Sequence, residues 1–299
     1  MKKNGSVCRR IHIWCRKRYG RRYYIGCLFL LPSLLGVAVF HLVPFLDVVR
    51  RSFTGVIDGA FVGLDNYRSI FSNQAFLLAS RNTVRFLGIC VPLLVALSLF
   101  IAVLLYRQKR FGQVLKGIFL LPMAIPVASV VLLWRIMFHS HGILSGWVEW
   151  LGGQGADWMN TGAAFWVLVV SYLWRNLGYD IVLWVAGLSG ISESLYEAAR
   201  VDGAGEWQCF VRITLPNLLP SLFTILVLSL LNAFKVFREA YLVAGDYPHE
   251  SMYLLQHLFN NWYRELSLDK MAAAAVICAL VIFGLVLCLK RAWNGQVEE

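Results

Sequence analysis

An all-α protein that crosses a bilayer six times, with both termini cytoplasmic, is the fold class that this sequence predicts. Three observations predict it. The 299 residues are 59% hydrophobic with a mean hydropathy of +0.62, yet only 15% are charged, where soluble domains carry nearer a quarter. Five runs, 24–46, 86–106, 117–134, 213–234 and 271–289, contain no Lys, Arg, Asp or Glu, and each approximates the ~20 residues that a helix needs to cross hydrocarbon. A sixth run, 163–188, is interrupted only by Arg175 and Asp180.

The chain divides into a basic cytoplasmic segment (1–23), a six-span membrane domain (24–290) and a short cytoplasmic tail (291–299). Nine of the 28 basic residues lie in the first 22 positions, and no acid precedes Asp47. A basic block abutting an apolar span holds that end inside, so the net charge of +11 argues for membrane orientation rather than nucleic-acid binding. The first apolar run is too long for a cleaved signal peptide and lacks a small-residue cleavage site. Segment 47–82 carries Arg50, Arg51, Arg68 and Arg81 among acids and is neutral on topology. The segment after the second span, with Arg107, Lys109, Arg110 and Lys116, belongs inside.

The third span contains Pro122 and Pro126, which break or kink it, and Arg135 near its outer end, which snorkels. The external loop 139–162 has no Lys or Arg. His139 and His141 are solvated there rather than metal-bound, and Gly152-Gly153-Gln154-Gly155 is a loop, because no strand precedes it to make a phosphate cradle. The fourth span carries Arg175 and Asp180, five residues and some 140° apart, so they do not share a face. No predicted external loop holds any of the seven cysteines (Cys8, Cys15, Cys27, Cys90, Cys209, Cys278, Cys288), so no disulfide framework is implied. No metal site and no cofactor is expected. None of the eight lysines precedes Ser or Thr, so the chain has no phosphate-binding loop of the Gly-rich, Lys-Ser/Thr kind, and any ATP chemistry belongs to another polypeptide.

Between the fourth and fifth spans the sequence becomes polar, at residues 190–216. Ser194 and Glu197 have the spacing of a capping box, and a short helix runs to about Asp202. Gly203 and Gly205 then provide the positive φ of a sharp turn. Trp207, Phe210 and Val211, at i, i+3 and i+4, predict a second short amphipathic helix. Pro216 and Pro220 fit the first turns of the next span. Helix, glycine elbow and helix at the membrane surface make a shape for docking.

Glu197-Ala198-Ala199, Asp202-Gly203-Ala204, then Phe210, Ile213, Leu215 and Pro216 resemble the EAA loop of bacterial ABC-importer permeases, and the match is closest to carbohydrate-uptake permeases of the maltose-transporter type. Phe61 to Tyr67, Asn82-Thr83, Leu120-Leu121-Pro122 and Phe234 to Pro248 extend the resemblance over nearly the whole chain, although Gly245-Asp246-Tyr247-Pro248 departs from the glycine-glycine-proline run common there. The resemblance implies a type I ABC-importer permease architecture. It also implies a second, similar permease chain, two cytoplasmic ATPase subunits and an extracytoplasmic solute-binding protein, in a bacterial inner membrane. Carried over by position, Glu197, Ala198, Ala199, Asp202, Gly203 and Ala204 are the residues that couple to the ATPase.

Charges inside spans are costly and face protein or water. Trp174, Arg175, Asp180, Asn232, Lys235, Arg238 and Glu239 are therefore candidates to line a route for a sugar or oligosaccharide, with Tyr172 as a further aromatic surface. Lys235 and Glu239 have the spacing of an i,i+4 ion pair. The competing structural reading is that these groups tie spans together. The rival function is an ion-gradient-driven transporter using Asp180 and Glu239, but the internal repeats common to such folds are not visible. A membrane enzyme would need a catalytic cluster at one face, and none is seen.

Overall fold

The computed structural model describes residues 28–108 and 112–297. The basic block 1–23 with Cys8 and Cys15, together with Cys27, Lys109, Arg110 and the last two residues, lies outside the described residues, as do the side chains of Arg107 and Lys235. Among the described residues the spanning elements are all helical, and the sole pairing of extended chain is an isolated bridge between Thr54 and Phe61.

Helix α1 (Leu28–Arg51) contains a π-helical turn at Ala38–Leu42 and buries none of its residues. Asp47 accepts from Arg50 at 2.9 Å and Arg51 at 2.7 Å, and both cations lie in the last turn, where the helix dipole favours them. The run 61–67 is a clip. Gly63 turns the chain at φ +59, the Asn66 amide donates to the carbonyls of Ser52 (3.1 Å) and Thr54 (3.0 Å), and the Tyr67 hydroxyl reaches Ser52 Oγ at 2.7 Å. Helix α2 (Asp65–Phe71) is thereby held to the end of α1.

Helix α3 (Gln74–Arg107) begins well before the predicted span at 86. Arg81, Asn82, Thr83 and Arg85 end the apolar run in the sequence, but tertiary partners accommodate the polar residues. Asn82 Nδ2 donates to the carbonyls of Glu250 (2.6 Å) and Tyr253 (3.0 Å), Thr83 Oγ1 accepts from the Leu255 amide at 3.0 Å, and Arg85 sits 4.2 Å from the Phe165 ring centroid.

The predicted third span, 117–134, is divided into α4 (Gly112–Ala124) and α5 (Val127–Phe138). Pro122 is tolerated inside α4, whereas Pro126 caps α5 with ψ 141 and drives the residue before it from the helical region. The break therefore falls at Ile125-Pro126. The loops expected to be external also contain helices that composition did not predict: α6 (Ile143–Trp150) and, after α7 (Ala164–Ser189), α8 (Glu193–Val201), α9 (Glu206–Cys209), α10 (Leu219–Ala233) and α11 (Phe237–Ala244), helix α12 (Leu255–Arg264). Helix α13 (Leu268–Val297) continues through Arg291, so most of the segment expected as a tail extends the last helix. Pro216 and Pro220 do occupy first-turn positions.

Among the described residues, five stretches are long and apolar enough to cross a membrane by length and composition: Leu28–Arg51, Gln74–Tyr106, Val127–Trp150, Leu219–Ala244 and Leu268–Arg291. Helix α7 has the length but is more polar, because it is the centre of the bundle. It packs on α3, α4 and α10, so protein rather than lipid surrounds its polar groups. Tyr172 donates to the Ser229 carbonyl at 2.7 Å, Trp184 Nε1 to Ser98 Oγ at 3.0 Å, and Asp180 accepts from Ser229 Oγ at 2.7 Å. At Gly178 a Cβ would fall onto the backbone of Phe119, so α4 and α7 touch main chain to main chain, as small residues allow between membrane helices.

One buried group outside the spans carries a pH dependence. His257 in α12 is fully buried, its Nδ1 accepts from the Leu254 amide at 3.2 Å, and its ring meets Phe237 edge-on at 4.8 Å. Burial pushes this imidazole down to about 4, opposed in part by the charge of Asp246. The unfolded chain takes up the proton near pH 6.5, so the stability contribution is complete above 6.5 and is lost as pH falls toward 4. The difference is about 3 kcal/mol. Thermal unfolding of the purified protein is expected to show this acid loss, and His257→Gln is expected to flatten it.

Candidate functional site

The polar segment 190–216 stands at one end of the bundle. Ile191, buried at the end of α7, pins the chain, so α8 begins at Glu193 with Ser192 as its N-cap (ψ 132). This differs from the predicted capping box. Ser194 is already helical and its hydroxyl meets Ser192 Oγ at 2.7 Å, and Glu197 projects, exposed, from mid-helix.

The other end of α8 is a Schellman motif. Gly203 has φ +81, its amide donates to the Arg200 carbonyl at 3.1 Å, and the Ala204 amide donates to the Ala199 carbonyl at 2.9 Å. These are the two bonds that close such a helix end. A Cβ at Gly203 would meet nothing within 4 Å, so glycine is required by conformation rather than by space. Gly205 does not share the predicted positive φ. At φ −73 it is the N-cap of α9, and its amide donates to Gln208 Oε1 at 3.0 Å.

The second helix departs from the predicted face. A π turn at Phe210–Thr214 shifts the register, as an extra residue per turn must. Cys209 and Thr214 are buried instead, and Tyr196 holds α8 to the body through Thr214 Oγ1 at 2.9 Å. Trp207, 74% exposed, and Val201, 87% exposed, flank the elbow as outward apolar groups. The sequence placed Trp207 on the apolar face of the second short helix and gave no sign of Val201. Glu197, Ala198, Asp202 and Gly203 are exposed, Ala199 and Ala204 half-buried, and no residue of α8 is buried. The Arg200–Glu206 pair crosses the elbow at 3.4 Å but is exposed and contributes little.

A second feature is a cavity of about 180 Å³ where the α4–α5 break faces α7, α10 and α11. Arg175, Asn232, Arg238 and Glu239 line it, as do Ser171, Tyr172 and Asn176. Arg175 Nη1 lies 3.2 Å from Glu239 Oε1, with the side chains 20% and 13% exposed. The pair is not aligned as a hydrogen bond. Arg175 Nη1 and Glu239 Oε2 are buried with no hydrogen-bond partner among the described residues. Charged and amide groups that donate and accept thus share one wall, a chemistry suited to hydroxyls.

Two candidates for this lining lie elsewhere. Trp174 faces outward, 39% exposed. Asp180 is fully buried away from the cavity, bonded to Ser229. The expected Lys235–Glu239 pair involves a side chain outside the described residues; the ion partner of Glu239 among the described residues is Arg175. The Tyr172 hydroxyl is already committed to Ser229. Arg135, exposed, turns back to the Leu242 carbonyl at 3.5 Å. Asn176 and Ser171 were missed, although an amide beside Arg175 inside an apolar run is itself a signal. Among the described residues no group of three or more His, Cys, Asp or Glu is placed to hold a metal.

Removing one partner of a buried ion pair strands the other charge, at about 3–5 kcal/mol. Arg175→Ala and Glu239→Gln are each expected to lower thermal stability, and the double variant Arg175→Gln/Glu239→Gln to be more stable than Arg175→Ala.

Residues 94–293 match the family described as binding-protein-dependent transport system inner membrane component. Over 249 residues the chain is 32% identical to the trehalose/maltose transport system permease protein MalF of Thermococcus litoralis, covering 81% of this chain and 84% of that one. Its fold is similar to that of a bacterial ABC transporter involved in the import of the acidic polysaccharide alginate, with a TM-score of 0.80 over 95% of this chain and 98% of that one, at 22% identity. A second structure, of a bacterial alginate ABC transporter in complex with alginate pentasaccharide-bound periplasmic protein, gives a TM-score of 0.76 over 90% and 93% of the two chains, at 23% identity.

Proposed function

The chain belongs to the inner-membrane components of binding-protein-dependent transport systems, and from that premise we propose that it is one of two permease subunits of an ATP-driven importer for a sugar or oligosaccharide. The observation that carries this reading is the elbow. A nine-residue helix with no buried residue, closed by a Schellman glycine and flanked by exposed Val201 and Trp207, turns most of its surface away from this chain. An exposed apolar and charged surface of that kind marks a docking site. Its partner is a separate ATPase, because the chain carries no phosphate-binding loop.

The cavity is this chain's share of the pathway. Its lining combines charged groups with Asn176 and Asn232, amides of the kind that read hydroxyl groups. A second, similar permease covers α1, whose residues are all unburied, and a solute-binding protein delivers the sugar at the end away from the elbow. The membrane is the bacterial inner membrane, with the elbow and both termini in the cytoplasm. The ion-gradient alternative gains nothing from the geometry: Asp180 and Glu239 do not come together, and Arg175 neutralises Glu239.

The test is uptake by proteoliposomes holding the complex purified from native membranes, with its binding protein and labelled oligosaccharides. Uptake is expected to require internal ATP and to be indifferent to ionophores. Uptake that persists without ATP and collapses with ionophores would overturn the reading.

A further inference from the structure

We propose that α6 lies flat in the lipid–water boundary at the end of the bundle opposite Gly203, with the stripe Ile143, Trp147 and Trp150 set among the lipids. The stripe is anomalous for a helix in an aqueous loop. Residues at i, i+4 and i+7 share one face, and here that face points out, with Ile143 54%, Trp147 62% and Trp150 79% exposed.

The depth of α6 follows from what precedes it. Helices α4 and α5 hold 13 and 12 residues, so together they rise roughly 38 Å, a little more than the ~30 Å hydrocarbon. Helix α6 therefore begins where the hydrocarbon ends. Its attachment is tight. The Gly142 amide donates to the His139 carbonyl at 2.8 Å, and a Cβ at Gly142 would stand 2.6 Å from the Ile136 carbonyl oxygen. The rotation of the helix is fixed as well. Ser145 is fully buried, within 3.1 Å of the His139 carbonyl and 3.0 Å of the Ala156 carbonyl, and accepts from Trp158 Nε1 at 3.0 Å. With Ser145 held inward, the tryptophan stripe cannot turn away.

Three observations choose lipid as the occupant. The stripe follows in sequence the exposed aliphatic residues Leu132, Leu133 and Ile136 of α5, within a stretch, Val127–Trp150, that is apolar enough to lie in a membrane. The groove between Ile143, Gly146, Trp147 and Trp150 is lined almost wholly by apolar surface, whereas a bound sugar needs donors and acceptors around its ring. Tryptophan is also the residue most at home at the headgroup level. As an anchor, α6 would hold α5 while α4 moves with α7 about the Ile125-Pro126 break. The proposal depends on the chain spanning a membrane and not on which solute it carries.

The test places a nitroxide at position 150 through a genetically introduced ketone amino acid, in the assembled complex in nanodiscs. A second label at 143 serves if 150 is not tolerated, with reference labels at Leu132 and Asp157. Power saturation is expected to give oxygen accessibility well above that of a nickel chelate, close to the Leu132 label. Nickel accessibility like that at Asp157 would place the stripe in water and overturn the proposal. Low accessibility to both reagents would mean that a protein surface, the second permease or the solute-binding protein, covers it, and would overturn it equally.

Discussion

Gly203→Pro is expected to reduce ATP-driven uptake to background while the chain still inserts and accumulates in the membrane. Proline fixes φ near −65° and has no amide hydrogen, whereas Gly203 has φ +81 and donates to Arg200 at 3.1 Å. Proline also pushes the preceding residue toward extended conformations, and Asp202 sits at φ −75, ψ 3. The end of α8 must therefore unwind, and the angle between α8 and α9 is lost. The bundle is spared because α8 buries no residue and meets the core through half-buried Tyr196. Graded variants separate conformation from chemistry. Gly203→Ala keeps the amide and meets no neighbour, so it carries only the ~1–2 kcal/mol of a left-handed alanine and is expected to reduce uptake partially. Gly203→Asn, with a side chain that visits this region more readily, is expected to fall between alanine and wild type. Vesicle uptake, with membrane abundance measured by immunoblot, checks the series.

Gly178→Ala is expected to have the largest effect on stability. The added methyl would overlap the Phe119 carbonyl and the Leu120 amide, and these are main-chain atoms that cannot rotate aside. Overpacking usually costs about 1–3 kcal/mol when side chains can yield; here α4 and α7 must separate, so the loss should be at the top of that range or beyond. Because α4 ends at the break that walls the cavity, uptake should fall with stability. Gly284→Ala is the matched control. It lies inside α13 with open space at its Cβ position, and replacing a helical glycine is worth up to ~1 kcal/mol, so that variant is expected to be neutral or slightly stabilised. Melting temperatures of the detergent-purified variants decide both.

What was legible in the sequence was what local chemistry decides. Apolar runs marked the spans, Pro216 and Pro220 marked helix starts, and Gly203 marked a turn whose φ only glycine adopts freely. What was not legible depended on partners distant in the chain. Asn82 and Thr83 read as the end of an apolar run because Tyr253 and Leu255, which satisfy them, lie more than 150 residues away. Ser194 had the spacing of a cap, but the start of α8 is set by Ile191 buried against the bundle. For Glu239 the sequence offered only a local partner, and the Arg175 guanidinium that approaches it comes from another helix. Asp180 and Trp174 were grouped with Arg175 as charged or aromatic groups inside spans, although at 100° per residue Arg175 and Asp180 already faced different walls. The Pro126 break was foreseen as an option; that it faces a cavity required the packing of α7 and α11.

The most direct test of the docking elbow is photo-crosslinking in native membranes from a benzophenone amino acid at position 207, with Asp157 as a reference position at the opposite end. A covalent adduct to a protein carrying a phosphate-binding loop, lost in Gly203→Pro, is the expected result. If that ATPase co-purifies with the chain but is never captured from position 207, and crosslinks elsewhere on the chain instead, the elbow is not the dock.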